Sequence, residues 1–525
     1  MKSFFPLAFI ILLASCQPTS PPAETEAQHS AEISRFDRSF KPAVFTETNR
    51  VQRVVALGPE IEALLQQTAK DNHYPGMVYG IVMEGKLVWS SSYGIVNTGN
   101  KVPVSTKSLF KIASMSKSFT AMAIMKLVEM GKLELDDEAA DYMPEMKNLV
   151  YLTKDATPIT IENLLTMTAG FPEDNPWGDR QLEDTPEELQ ALVAEGLSFS
   201  NIPSFGYEYS NTGFAILGQI ISNVSGQPYQ EFINENIFKP LGMNNTYWEF
   251  EGLPEDLLAL GYRWEDEQWK PEPLLHDGAF GCMGGLITSL DDFSKYVAYH
   301  LSAYPPKNDD EYGPVKRSSL RSMHKPKEPS LMANARDADG NTCPMISGYG
   351  YGLSARKDCN AVVYIRHSGG LPGFGSDYRF YPEYDLGIIS FANRTYAGAG
   401  AINNEVANLI FKKAGLQPRI LPASDILLAA QTKVASWLQT NEAGVEEALF
   451  AENFFLDFSR DRRIKEYNQA LAPIGNVTKV GEMKAINQLR GVFTLTGENG
   501  SAEVFFTMSP EKTPKVQQLD VRLKE

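Results

Sequence analysis

Histidine and cysteine are scarce in this chain, six and four residues out of 525. The histidines are scattered at no metal-ligand spacing, so neither a metal nor another cofactor is expected. Basic residues are also short: 48 Lys and Arg against 65 Asp and Glu give a formal charge of −17 and a pI near 5, which argues against nucleic acid as a partner. Glycine and proline stand near their averages, excluding collagen-like and low-complexity chains, and no self-similarity at 20 to 50 residues marks a solenoid. The motifs GxSxG, HExxH, GxxxxGK[ST] and GxGxxG are all missing. What remains is a chain with 43% hydrophobic residues, globular and long enough for two or three units.

The apolar run at residues 4–14, preceded by Lys2, is too short to span a bilayer but has the length of a signal-peptide core. Residues 1–15 are therefore expected to be a signal segment. Its end, Leu13-Ala14-Ser15-Cys16, resembles the lipobox of bacterial lipoproteins, which implies lipid attachment at Cys16; an ordinary secretory signal is the alternative. Residues 16–54 are rich in Pro, Ser and Glu near their start and are expected to be a polar tether. Gln17 is not the aspartate associated with inner-membrane retention, so the expected location is the cell envelope, lipid-anchored at the outer membrane and facing the periplasm. An oxidising compartment would let Cys343 and Cys359 pair, stabilising by about 3 kcal/mol in the chain-entropy model. Two reduced thiols are the alternative, and Cys282 is left as an odd, buried thiol.

Residues 60–69 have helical periodicity, and 76–83 with 86–93 alternate like a hairpin around Glu84-Gly85. Residues 114–130 carry apolar side chains at helical spacing, with Gly131 as a stop. A mixed, largely helical middle follows, with helices near 161–167, 185–195, 214–225 and 229–237. Strands return at 362–366, 376–381 and 387–392. The order of sheet, helices and sheet predicts an α+β fold: an antiparallel sheet flanked by helices, with an inserted mostly helical subdomain, over residues 55–413. A helix opening near Ser424 and strands at 491–496 and 502–508 predict a small α+β accessory domain over residues 420–525.

Three short motifs carry possible chemistry. SxxK occurs at several serines, but only Ser114-Met115-Ser116-Lys117 opens a long apolar helix. There residues i and i+3 share a face, so Lys117 can sit beside the Ser114 hydroxyl, and the helix start favours negative charge on an attacked carbonyl. Ser114 as an N-cap with a solvated Lys117 is the competing reading. Tyr209-Ser210-Asn211 precedes the apolar helix at 214 and could aim a phenol and an amide into a cleft; a packed Tyr209 and a capping Asn211 is the alternative. His367-Ser368-Gly369-Gly370 follows a strand. Its glycines would let substrate lie along the edge, with a backbone N–H near Gly370 joining that of Ser114 as oxyanion donors. A merely strand-ending His367 competes with that.

In this order the three motifs resemble the SxxK, YxN and [K/H]xG series of the serine beta-lactamase and penicillin-binding-protein superfamily. The closest branch is the class C beta-lactamase-like group, with its D-stereospecific peptidases and carboxylesterases. Phe110-Lys111-Ile112-Ala113, Pro240-Leu241-Gly242-Met243 and Tyr349-Gly350-Tyr351-Gly352 add to the likeness, over about residues 55 to 413. The resemblance implies a serine hydrolase in which Ser114 attacks a carbonyl, Lys117 and Tyr209 move the proton, and Asn211, His367, Gly369 and Gly370 bind substrate. Peptides, amides or esters are the expected small-molecule partners. His367 replaces the lysine of true beta-lactamases, removing a permanent cation for the antibiotic carboxylate, and Met167-Thr168-Ala169-Gly170 departs from His-Thr-Ser-Gly. The alternative is a penicillin-binding or sensor protein of the same fold that acylates without turnover.

Overall fold

The computed structural model describes Met1 and residues 36–337 and 340–524. The expected signal segment, and Cys16 with it, lies outside the described residues. Two compact units divide the chain, residues 1–40 and residues 41–525. In the first, Asp37 accepts from the Ser39 backbone N–H at 2.8 Å, closing a turn. No helix among the described residues is long and apolar enough to cross a membrane.

The second unit is organised by an eight-stranded sheet of β1 (Gly76–Met83), β2 (Lys86–Gly94), β3 (Lys327–Met332), β4 (Met345–Tyr349), β5 (Ser354–Lys357), β6 (Val363–Leu371), β7 (Phe374–Tyr381) and β8 (Leu386–Ala392). Its order is β2-β1-β8-β7-β6-β5-β4-β3, with every pair antiparallel. The first and last thirds of the fold thus meet at Met77 opposite Ala392. Strands β1, β7 and β8 are buried along their whole length because both faces are covered, so they read as apolar runs rather than as alternation.

On one face lie α1 (Gly58–Asp71) and α5 (Ala399–Ala414), closing a core with Ile81, Ile388 and Val406. On the other lie α2 (Lys117–Glu129), α3 (Asn211–Ser225) and α4 (Leu290–Ser302) in a larger core that takes in the helical middle. Nearly every side chain of α2 is buried, which marks a helix enclosed on all sides. The expected helix at 229–237 is an α-turn, Tyr229–Ile233, that widens into a π-turn at Asn234–Phe238.

The expected tether ends sooner than residue 54. Val44 exchanges backbone hydrogen bonds with Ile420 at 2.9 and 2.8 Å, and Arg50–Val55 is helical with Val54 buried. The cause is Phe45, whose ring is clasped by the guanidiniums of Arg50 and Arg419, 3.4 and 4.6 Å from its centre; two cation–π contacts hold an otherwise polar stretch down.

Beyond residue 420, α6 (Asp425–Thr440) packs on a sheet of β9 (Val477–Val480), β10 (Lys484–Asn487), β11 (Arg490–Gly497), β12 (Ser501–Met508) and β13 (Val516–Leu523). This region has its own core, centred on Trp437, Phe454, Phe493 and Phe506. Strands β9 and β10 both pair with β11.

Candidate active site

Ser114 does not begin an α-helix directly. It sits in a 3₁₀ turn, Ala113–Ser116, and the α-helix starts at Lys117. Ala113 is held left-handed at φ 51°, a conformation that costs a non-glycine residue roughly 1–2 kcal/mol. The Ser116 hydroxyl donates to the Ala113 carbonyl at 2.8 Å, and the Leu286 N–H donates to that hydroxyl at 3.2 Å, locking the turn. Ser114 is 6% exposed, and its hydroxyl is the group the turn presents to the cleft.

Lys117 is fully buried, and its Nζ meets three acceptors: Ser114 Oγ at 3.2 Å, Asn211 Oδ1 at 2.6 Å and the Met283 carbonyl at 2.8 Å. Burial lowers the amine to about 7, against the opposing pull of Asp179 and Asp174. A neutral amine has two N–H donors and one lone pair. With the N–H groups on Asn211 and Met283, the lone pair is left for the Ser114 hydroxyl.

Tyr209 closes the other side. Its hydroxyl is hydrogen-bonded to the Ser114 side chain, and burial holds it well above the usual phenol range. The Lys117 amine lies 5.0 Å from its ring centre. Asn211 is the first residue of α3, not its cap: Ser210 Oγ accepts from the Gly213 N–H at 3.1 Å, while Asp174 takes the N–H groups of Asn211 and Thr212 at 2.6 and 2.8 Å. Asn211 Nδ2 in turn donates to Asn175 Oδ1 at 3.3 Å, fixing the amide so that its oxygen faces Lys117.

His367 lies on β6 at the point where β5 ends, since their pairing runs only from Val363 to Arg366. From His367 onward the strand has no described partner on that side. Gly369 is required by contact: a Cβ there would stand 2.2 Å from the Ile112 carbonyl, so only glycine lets the Ser114 turn press on the strand. The His367 Nδ1–H donates to the Ser368 carbonyl at 2.6 Å and Nε2 accepts from Tyr349 at 2.8 Å. Burial and the nearby Lys117 charge lower the imidazole to about 3, so it is neutral and polar, not cationic.

Ser114, Tyr209, His367 and Gly370 line one cleft of about 820 Å³. Lys117, Asn211 and Gly369 lie beneath it as supports. The structure joins Cys343 to Cys359 by a disulfide across the β4–β5 hairpin, and Cys282 is a buried free thiol.

Sequence reasoning missed several groups in this cleft. Asp179 and Tyr396 line it, as do Arg356 on β5 and Arg366 on β6. The cleft therefore contains cations, but none at position 367: Arg366 is paired with the buried Asp377, and Arg356 stands on β5. Only Arg356 carried a signal, on the same face as Ser354 in an alternating run; Asp179 stands in a loop with no periodicity. Among the described residues, Glu134, Asp136 and Asp137 are close enough to share a cation, but none lines the cleft.

The family pattern described as Beta-lactamase matches residues 61–411. Protein flp of Staphylococcus aureus strain MRSA252 is 30% identical over 343 residues, 64% of this chain and 62% of that protein's length. Beta-lactamase-like protein 2 of Dictyostelium discoideum is 30% identical over 254 residues, 47% of this chain and 46% of its own. Among solved structures, the octameric penicillin-binding protein homologue from Pyrococcus abyssi superposes with a TM-score of 0.55 at 21% identity, covering 89% of this chain and 98% of that one. A class C beta-lactamase from Rhodobacter sphaeroides gives 0.55 at 18%, covering 67% and 98%; at such identities the likeness speaks for the fold. With the family pattern running from α1 through α5, and with the fold of these neighbours, the chain belongs to the beta-lactamase family of the serine beta-lactamase and penicillin-binding-protein superfamily.

Proposed function

We propose that the protein is a serine hydrolase that forms an acyl-enzyme on Ser114 and hydrolyses a peptide, amide or ester. The observation that carries this reading is the buried Lys117 amine, tied to Asn211 and Met283 and pointed at Ser114 Oγ. An amine near neutrality beside a hydroxyl is a general base, and proton transfer by such a group is worth about 10²–10⁴ in rate. Two candidate bases touch Ser114, and their proton affinities separate them. Tyr209 holds its proton and is suited to deliver one to the leaving group; Lys117 can take one.

In the proposed sequence the Ser114 proton passes to Lys117 as Oγ bonds to the substrate carbonyl carbon. The resulting ammonium keeps its donors on Asn211 and Met283. The backbone N–H groups of Ser114 and Gly370 receive the oxyanion. Tyr209 protonates the leaving amine or alcohol and becomes a phenolate; water then attacks the ester on Ser114 and gives its proton to Tyr209, while the Lys117 ammonium returns its proton to Ser114 Oγ as the acid product leaves. The neutral His367 and its Tyr349 partner offer polar, uncharged contacts, which favours a peptidase or esterase over an efficient beta-lactamase. Lipid attachment at Cys16 would hold this body at the outer membrane facing the periplasm, a proposal tested by palmitate labelling of wild type against Cys16→Ala.

The deciding experiment is intact-mass analysis after incubation with a fluorescent penicillin and with a fluorophosphonate. The expected result is one adduct per chain, absent in Ser114→Ala and retained in Ser322→Ala. Label on Ser114→Ala would refute the assignment. A stable adduct with no turnover of D-amino acid amides or short-chain esters would move the reading to a penicillin-binding or sensor protein.

A further inference from the structure

Asp179 follows the short helical turn Asn175–Gly178, lines the cleft with Ser114 and is only 2% exposed. Its Oδ2 accepts from the Tyr396 hydroxyl at 3.0 Å, but its Oδ1 is buried without a hydrogen-bond partner. An unmet buried acceptor costs roughly 1–3 kcal/mol, and among the buried carboxylates of the described residues Asp179 alone bears it. Asp377, equally buried, is surrounded by Arg366, Arg379 and Asn403. Lys117 does not fill the gap, since its hydrogen bonds go to Ser114, Asn211 and Met283. The acyl-transfer steps above make no use of Asp179.

Its position fixes what part of a substrate it would meet. A Cβ on Gly178 would lie 2.7 Å from the Asn211 Cβ, and one on Gly370 would lie 2.8 Å from the Tyr396 ring. Asp179 and Tyr396 therefore stand beside the Gly370 end of β6, next to the nucleophile. Arg356 is at the far end, opposite Tyr364 in register, six residues and about 20 Å along the strand. The cleft thus has a buried carboxylate beside Ser114, while Arg356 on β5 and Glu328 on β3 stand on its remote side.

We propose that Asp179, held by Tyr396, binds a protonated amine on the substrate, so that the preferred substrates are amides or esters whose acyl part carries a free ammonium group. The inference rests on the serine hydrolase reading and names its substrate class. An ammonium brings the N–H donor that Oδ1 lacks and places a positive charge beside a desolvated carboxylate. The neutral form of Lys117, the one competent to act as base, withdraws the cation that otherwise faces Asp179. A substrate ammonium replaces it.

The test is protection of Ser114 from a fluorophosphonate, followed by intact mass on the full chain. Competitors are the D and L forms of alaninamide and their N-acetyl derivatives. One amine form is expected to protect at a concentration at least about tenfold lower than its acetylated counterpart. Asp179→Asn should bring that ratio to within about twofold, and Tyr396→Phe should lower it about threefold. A wild-type ratio near one, no protection by either amine, or a ratio that survives Asp179→Asn overturns the inference. If Asp179→Asn does not fold, shown by loss of Ser114 labelling, an unchanged ratio in Tyr396→Phe overturns it instead. Failure of wild-type Ser114 to label at all removes the serine hydrolase reading and this inference together, an outcome distinct from labelling without amine preference.

Discussion

Around Trp437 in the C-terminal region, buried polar groups are satisfied: the indole N–H donates to Glu446 at 3.0 Å and the Tyr467 hydroxyl to the Leu519 carbonyl at 2.9 Å. Among the described residues past 420, only Asn441 Oδ1 is buried and unpartnered, and the only non-glycine left-handed residue is that same asparagine, a type that tolerates the conformation. Around Ser114 the terms are reversed. Asp179 Oδ1, Arg356 Nε and Arg366 Nε are buried and unmet in one cleft, and an alanine takes the left-handed position. In the cleft these unmet groups stand where a substrate would complete the site, whereas the C-terminal region packs around its own core with one such atom among its described residues.

The contrast is broken most directly by exchanging the target of mutation. Ser114→Ala should abolish adduct formation and lower turnover by about 10⁴-fold or more, whereas Trp437→Ala should leave the Ser114 labelling rate within about twofold. A tenfold fall in Trp437→Ala would make the C-terminal region part of the cleft. Next in size, Lys117→Met and Tyr209→Phe should each lower kcat/KM by about 10²–10⁴. Fluorophosphonate labelling reports acylation alone, so Lys117→Met should slow it more than Tyr209→Phe if the lysine is the base.

Stability tests the same difference from the other side. Asp377→Asn removes the fully buried carboxylate that pairs with Arg366 and Arg379 and should cost about 3–5 kcal/mol in urea unfolding. Trp437→Ala should cost a similar 3–5 kcal/mol by emptying the C-terminal core. The two are expected to differ in what else they move: Asp377 bonds Arg366, a cleft residue, so its loss should also disturb labelling. Equal indifference of the labelling rate to both would sever the link between network and cleft.

A smaller effect comes from acid. If neutral Lys117 is the base, kcat/KM should be flat above its titration near 7 and fall about tenfold for each pH unit below it, as the amine becomes protonated. Asp179 holds that proton on by its charge, so Asp179→Asn should shift the acid limb to lower pH. A limb that stays in place would mean that Lys117 does not set it.

Much of this arrangement was legible in the residues. The apolar side chains of α2 reflect its burial on all sides, and the β1–β2 hairpin follows from the turn at Glu84-Gly85 between the apolar run of β1 and the alternation of β2. The three short motifs converge because two sit at helix starts and the third lies within β6 just past the end of β5, so all face one cleft. Other features had no local trace. The Ala113 turn is imposed by contacts to Leu286 and Gly369, far off in sequence. Strand β3 is exposed along its length, so no buried face gives it a pattern, and it contains Pro329, which a sequence reading takes for a breaker. Asp179 is defined by Tyr396, more than two hundred residues away. The tether is shorter than its composition suggests, because one phenylalanine between two arginines does not alter the polar composition around it.

The mildest perturbation concerns the edge of the cleft. Cys343 lies just before β4 and Cys359 just after β5, so the disulfide ties the base of the hairpin that supplies Ser347, Tyr349 and Arg356 to the cleft wall. It closes a loop of 16 residues, worth about 3 kcal/mol against the unfolded chain at most. The catalytic groups at the starts of α2 and α3 do not depend on it. The Cys343→Ser, Cys359→Ser double variant should therefore keep kcat within about twofold while KM rises about three- to tenfold, because the loosened hairpin holds Tyr349 less firmly on His367. A fall in kcat with KM unchanged would mean that the hairpin acts on the chemistry and not on substrate binding, and the division between a rigid nucleophile side and an adjustable strand side would have to be abandoned.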